Sequence, residues 1–198
     1  MVKRKIEIGD LRRFKFVSDP QISHNGTKVA FVLSSINFDE DKYDRHIWMA
    51  DTSTGEVSQF TYGLGADTNP RWSPDDSKLV FISRGRAPDK KTQLYSINAT
   101  GGEACLLVES EEGLSNPQWS SDSKSVMYIS KVWTEEKPET DVKVVRRIKY
   151  KLNAVGFFEG RRSHIFVVRE GRKPKQVTSG EYDVDYAAWS SDDKEISG

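Results

Sequence analysis

A phrase of apolar and polar residues returns four times along the chain and predicts its architecture. Each copy has an apolar anchor, a short polar turn and then an apolar run. The copies are DPQISHNGTKVAFV from Asp19, NPRWSPDDSKLVFIS from Asn69, NPQWSSDSKSVMYIS from Asn116 and YAAWSSDDKEIS from Tyr186. The spacings between the equivalent residues Pro20, Pro70, Pro117 and Ala187 are 50, 47 and 70 residues. A repeat of this period is typical of propellers and solenoids.

The segments between the copies favour a propeller, because they have the pattern of strands and no helical period. In the second unit NPRW, KLVFIS, TQLYSIN and ACLLV are strand-like and are joined by turns. The first unit continues in the same order with KVAFVLS, HIWMAD and VSQFT. Four short strands joined by turns form a propeller blade. We therefore predict an all-β fold, an incomplete β-propeller of four-stranded blades over 19–198, with units starting near 19, 69, 116 and 186. The four units give three blades and the start of a fourth.

The third unit is longer than the others. Its spacing exceeds the preceding one by 23 residues. SVMYIS supplies one strand, SHIFVV reads as the next and KQVTS as the last. The excess residues are therefore expected as an insertion within 131–162.

The repeated phrase is expected to be structural. Trp72, Trp119 and Trp189 are expected to pack between adjacent blades, and Ile22 takes this position in the first unit. Asp75, Asp122 and Asp192 are expected to accept hydrogen bonds from the amides of their own turns. In the first unit the Asn-Gly pair of HNGT suits a primed hairpin turn.

Residues 1–18 are predicted to form an N-terminal segment with a short helix at Asp10 to Lys15, for which Gly9-Asp10 is the start signal.

The chain has 198 residues and a formal net charge of zero, which argues against a nucleic-acid or membrane-surface partner. The basic N-terminus is followed by no apolar stretch of signal-peptide length. The single cysteine, Cys105, fits a reducing compartment, so a cytoplasmic location is expected.

The chemistry-bearing residues do not form a recognisable catalytic set. There is no Gly-x-Ser-x-Gly motif, which a serine hydrolase uses for its nucleophile. The Ser-x-x-Lys matches at Ser121 and Ser191 recur at the structural turn, whereas the acylase chemistry needs a helix. His24, His46 and His164 have no second ligand at metal spacing. We therefore predict no catalytic residue, no metal site and no cofactor.

The insertion carries the candidate binding residues. Residues 141–151 contain five basic side chains and one acid. One interpretation is an elaborated hairpin with solvated charges. The other is that Arg146, Arg147 or Tyr150 faces a cavity and binds a carboxylate or a peptide backbone, because a guanidinium bonds a carboxylate through two parallel donors.

Taken together, the start LRRFKFVSDPQISHNGTKVAFV, the repeats and the segment RRIKYKLNAVGFFEGRRSHIF resemble the N-terminal propeller of the prolyl oligopeptidase family, with the acylaminoacyl-peptidase branch most similar. The resemblance covers essentially all of the chain. It implies a propeller of about seven blades that caps an α/β-hydrolase domain, limits entry to peptides and helps to hold the substrate.

This resemblance implies a non-catalytic, substrate-gating propeller whose partners are a peptide substrate and a hydrolase domain in cis or in trans. No position matches a catalytic residue of the family. The chain has fewer blades than the family and is expected to be a truncated product, a mis-called frame or a cut piece. The alternative is a stand-alone propeller that binds a protein partner. Either way, the open edges of an incomplete ring are expected to cause self-association.

Overall fold

The computed structural model describes residues 4–86, 91–134, 151–152, 156–157 and 160–198. After a 3-10 helix at Ile8–Arg13 the elements are strands. Their bounds are β1 Lys15–Ile22, β2 Lys28–Asn37, β3 Lys42–Asp51, β4 Val57–Gln59, β5 Ala66–Trp72, β6 Lys78–Arg84, β7 Thr92–Asn98, β8 Cys105–Ser110, β9 Leu114–Trp119, β10 Val126–Trp133, β11 Lys151–Leu152, β12 Gly156–Phe157, β13 Arg161–Val168, β14 Lys175–Gln176, β15 Ala188–Trp189 and β16 Ile196–Ser197. No helix in the described part has the length and apolarity that a bilayer crossing requires.

The strands form three four-stranded antiparallel sheets, one for each of the first three repeats. Their strand orders are β1-β2-β3-β4, β5-β6-β7-β8 and β9-β10-β13-β14, and β15 pairs with β16 at the start of the fourth unit. The predicted all-β fold of four-stranded blades, three and the start of a fourth, is confirmed. The short pair β11-β12 lies between β10 and β13 in the chain, so the long connection of the third unit joins its second and third strands.

Alternation along the strands gives the second and third sheets two apolar faces each. In β6, Leu79 and Phe81 pack against Ile47 of the first sheet, whereas Val80 and Ile82 pack toward the third sheet. Successive side chains of a strand point to opposite faces, so one strand contributes to two neighbouring cores. The core between the second and third sheets contains the residues Val80, Ile82, Leu94, Val108, Leu114, Val126, Tyr128 and Val168. A third core joins the third sheet to the start of the fourth unit.

A short helix precedes the first sheet, but its bounds differ from the predicted Asp10 to Lys15. It is a 3-10 helix that begins at Ile8, with Glu7 as its N-cap, and ends at Arg13. Asp10 lies inside the first turn, where its carboxylate accepts a hydrogen bond from the Glu7 amide at 2.9 Å. Gly9 and Asp10, which were expected to mark the start of the helix, therefore lie inside it. Lys15, predicted to be helical, begins β1 and pairs with Ser35.

The first hairpin turn is not of the primed type. Gly26 has a φ of 72°, but Asn25 is not among the positive-φ residues, and a type I′ turn requires positive φ at both central positions. The Gly26 amide donates to the Ser23 carbonyl at 2.9 Å, so the turn spans Ser23 to Gly26 and its left-handed residue comes last. Asp76, Ser123 and Asp193 occupy the same position in the later turns, with φ values of 56°, 59° and 56°.

Candidate functional site

The tryptophan of each later repeat binds the preceding unit through its ring nitrogen. Nε1 of Trp72 donates to the Gln21 carbonyl at 2.9 Å. Nε1 of Trp119 donates to the Arg71 carbonyl at 3.1 Å. In the fourth unit the same bond, from Trp189 to the Gln118 carbonyl, is 3.4 Å long. Each indole therefore joins the first strands of two consecutive units.

The first aspartate of the turn phrase stabilises its own turn. Asp75 accepts hydrogen bonds from Ser73 Oγ at 2.6 Å and from the Ser77 amide at 3.1 Å. These donors, Ser73 first, lower the pKa of Asp75 to about 2. The equivalent carboxylates have the same surroundings: Asp122 accepts from Ser120 Oγ, and Asp192 accepts from Ser190 Oγ.

The second aspartate bonds to the neighbouring unit, a role that sequence reasoning missed. The carboxylate of Asp76 accepts the amides of His24 and Asn25 at 2.7 and 2.8 Å. Burial would raise the pKa of Asp76, but these amides outweigh it and lower the pKa. Asp193 accepts the Ser121 amide at 2.9 Å in the same way. The phrase shows a second acid at Asp76 and Asp193, which are the left-handed residues of their turns, but it does not show that their carboxylates reach another unit.

The insertion is anchored at its two ends by a polar cluster, which we call the insertion anchor: Glu112, Trp133 and Arg161. Nε1 of Trp133 donates to Glu112 Oε1 at 3.0 Å. Arg161 Nη1 donates to Glu112 Oε2 at 2.8 Å, and its guanidinium lies 5.4 Å from the centre of the Trp133 ring. The two ends of the insertion are thus held together on one carboxylate.

A second, partly buried ion pair lies at the corresponding end of the second sheet. Asp67 is 0% exposed and accepts Arg86 Nη2 at 2.5 Å and Ser83 Oγ at 2.6 Å. The Arg86 guanidinium is 5.4 Å from both the Phe81 and the Tyr95 ring centres. Because the charge is paired and the guanidinium is covered by rings, this cluster stabilises the sheet edge.

The predicted binding residues Arg146, Arg147 and Tyr150 lie outside the described residues. In the chain they directly precede β11, Lys151–Leu152. Arg161 and Glu112 are 26% and 19% exposed at their side chains, so the anchor faces solvent only in part. Its Glu112 carboxylate accepts from Trp133 Nε1 and from Arg161 Nη1, which lie at the two ends of the insertion.

The histidines are held in three different environments. His164 is 0% exposed, with Nδ1 3.2 Å from Thr178 Oγ1 and Nε2 3.1 Å from the Gly180 carbonyl oxygen. His24 Nδ1 lies 3.2 Å from Asp76. Nδ1 of His46 is buried and has no hydrogen-bond partner within the part of the chain that the structure describes. Among the described residues no group of three or more His, Cys, Asp and Glu could hold a metal ion.

The comparisons with known proteins agree on the fold. The model of the TolB β-propeller domain matches residues 5–149. The peptidase YuxL of Bacillus subtilis (strain 168) is 34% identical over 204 residues, which covers 98% of this chain and 31% of that protein. The chain therefore spans about a third of the length of this relative.

Two solved structures have the same fold over most of the chain. The acylaminoacyl peptidase of Pyrococcus horikoshii superposes with a TM-score of 0.70 at 20% identity, covering 84% of this chain and 26% of its own. An acylaminoacyl peptidase in complex with Z-Gly-Gly-Phe-chloromethyl ketone superposes with a TM-score of 0.72 at 19% identity, covering 93% and 28%. At these identities the likeness shows the fold alone.

Proposed function

Because this chain belongs to the TolB β-propeller domain family, we propose that it is the propeller part of an acylaminoacyl-peptidase-like serine peptidase. The observation that carries this proposal is the match to the peptidase YuxL, which spans 98% of this chain at 34% identity and covers 31% of the relative. More than two thirds of that peptidase therefore lies outside the match and has room for a catalytic domain.

In this proposal the propeller gates and positions short peptides for a hydrolase domain joined in cis or bound in trans. The third unit supplies the contact. Its insertion begins after Trp133 and returns at Arg161, and the anchor holds both ends on Glu112. Arg146 and Arg147 are proposed to bind a peptide carboxylate through their planar donors, with Tyr150 against the peptide backbone. The acylaminoacyl peptidase with a bound peptidyl chloromethyl ketone supports peptides as the substrate class.

The gating role is tested by joining this chain to the remaining part of YuxL. We expect the fusion to cleave short acyl-peptides and to reject long ones, whereas the remaining part alone loses this discrimination. Replacing both Arg146 and Arg147 by Gln should raise the KM for peptides with a free carboxylate and leave the KM for peptide amides unchanged. Equal cleavage of long peptides with and without the propeller contradicts the gating role.

The chain alone is expected to have no peptidase activity, since it contains no Gly-x-Ser-x-Gly motif. The measurement is incubation of the purified chain with acyl-alanyl chromogenic substrates. Turnover that persists through purification and is blocked by serine-directed inhibitors contradicts this expectation.

A stand-alone propeller that binds a protein partner is the second candidate. It is favoured by the outer face of the first sheet, where Ile22 is 63% exposed at the position that Trp72 fills in the second. Genomic context separates the two candidates. A frame with Gly-x-Ser-x-Gly directly downstream supports the peptidase, and a true stop codon followed by an unrelated gene supports the binding module.

A further inference from the structure

A cavity of about 320 Å³ opens between the second and third sheets, and the proposed function does not use it. It lies at the turn end of these sheets. Lys78 begins β6 directly after one turn, and Lys124 lies in the next turn just before β10. The insertion leaves β10 from its other end, at Trp133. A strand of this length extends over roughly 25 Å, so the cavity is far from the insertion anchor.

The floor of the cavity is apolar. Leu107 and Val168 come from facing sheets, and Trp119 completes this floor. The indole nitrogen of Trp119 is already bonded to the Arg71 carbonyl, so the ring offers the cavity an apolar surface. A floor of this kind favours an apolar or aromatic group, because burial of such a group removes its surface from water.

The rim of the cavity carries an excess of one positive charge. Lys78 is neutralised by Glu170, with Nζ 2.6 Å from Oε2. Lys124 and Arg169 remain, and Asp122 lies close enough for both cations to act on its charge. Two cations and one carboxylate leave a single positive charge, which selects a monoanion over a dianion or a neutral ligand.

The guanidinium of Arg169 is held in place at one point. Its Nε donates to Ser125 Oγ at 2.8 Å. Within the described residues the two terminal nitrogens of Arg169, and Nζ of Lys124, have no hydrogen-bond or ion-pair partner. A guanidinium fixed through Nε presents its other donors as a planar fork that matches a carboxylate.

We propose that this cavity binds a small monocarboxylate with an apolar or aromatic tail, with the tail on the floor of Leu107, Trp119 and Val168 and the carboxylate on Arg169 and Lys124. The volume lies at the lower end of the range for small-molecule pockets, which limits the ligand to about the size of one acylated amino acid. The site joins two blades, so its ligand also stabilises their contact.

The test uses the full chain and ligand-observed saturation-transfer NMR, which tolerates self-association. The probe is N-acetyl-L-phenylalanine, and its neutral amide is the matched ligand without the charge. We expect saturable binding of the acid and at least tenfold weaker binding of the amide. Acetate, which has the charge but no tail, is expected to compete at least tenfold less well than an apolar monocarboxylate.

Variants locate the site. Arg169→Gln should weaken binding of the acid about tenfold and leave binding of the amide unchanged. Arg172→Gln, an exposed arginine in the same connection, is the matched control and should bind as the unmodified chain does. Leu107→Trp, which fills the floor, should abolish binding of both ligands. No saturable binding, equal binding of acid and amide, or equal effects of the two arginine variants overturns the proposal.

Discussion

Replacement of Trp72 by Ala tests whether the repeated tryptophan holds two blades together. Trp72 is 7% exposed and packs in the core between the first and second sheets. Truncation of a large buried aromatic side chain to Ala costs about 3–5 kcal/mol. The free energy of unfolding of a whole domain is about 5–15 kcal/mol, so this variant should lose most of its stability and is expected to be unfolded or nearly so.

A second variant separates the packing from the hydrogen bond. Trp72→Phe keeps an aromatic ring but removes the donor that reaches the Gln21 carbonyl at 2.9 Å. A buried acceptor left without its partner costs about 1–3 kcal/mol, so this variant should fold with reduced stability. The bond from Trp189 is longer, at 3.4 Å, and Trp189→Phe should therefore cost less than Trp72→Phe.

The repeat itself provides the control. Ile22 occupies the same position in the first unit but is 63% exposed, so Ile22→Ala should change the free energy of unfolding by no more than about 0.5 kcal/mol. The assay is equilibrium unfolding in urea followed by far-ultraviolet circular dichroism, because the loss of a tryptophan alters fluorescence. If Trp72→Ala unfolds at the same urea concentration as the unmodified chain, or if Ile22→Ala costs as much, the blade assignment is wrong.

Three further predictions concern pH, the insertion anchor and association. The pKa of Asp75 is lowered to about 2, and that of Asp193 is lowered as well. Both carboxylates therefore stabilise the fold above pH 4, and this stabilisation is lost as the pH falls from about 4 to 2. An unchanged urea midpoint of unfolding across that range contradicts this prediction. Glu112→Ala should lower the free energy of unfolding by about 1–3 kcal/mol, because it removes the acceptor of the insertion anchor. Glu111 is the exposed neighbour of Glu112, so Glu111→Ala should have almost no effect on this free energy. Equal urea midpoints for the two variants contradict this prediction. The chain is expected to self-associate through the outer face of the first sheet around Ile22, and light scattering that shows a compact 22.5 kDa monomer at high concentration refutes this.

The strands could be predicted from the sequence because their signal is local and repeated. Thr92–Asn98 matches the predicted strand at both ends, and the strand from Arg161 begins two residues before the predicted segment. Period-2 alternation and turn residues act within a few positions, so they can be read without knowledge of the neighbouring sheets. The third unit could be predicted as a blade with an insertion because SVMYIS before the excess residues, and SHIFVV and KQVTS after them, have the pattern of strands.

The contacts between units could not be predicted in the same way. Asp76 bonds to amides of His24 and Asn25, more than fifty residues earlier, and the phrase alone does not distinguish this from a bond within its own turn. The helix was misplaced because Asp10 acts from inside the first turn. The insertion anchor was missed because Glu112, Trp133 and Arg161 are brought together only when β10 pairs with both β9 and β13.

Two kinds of bond between repeats run in one direction along the chain. The later unit supplies the indole donor or the turn carboxylate, and main-chain carbonyls and amides of the preceding unit pair with them. On the ribosome, a finished sheet is therefore secured only after the first strand and turn of the following repeat have emerged. Assembly of the blades then follows the order of synthesis, and a chain stopped before the turn of a repeat has emerged leaves the preceding unit without the turn bond.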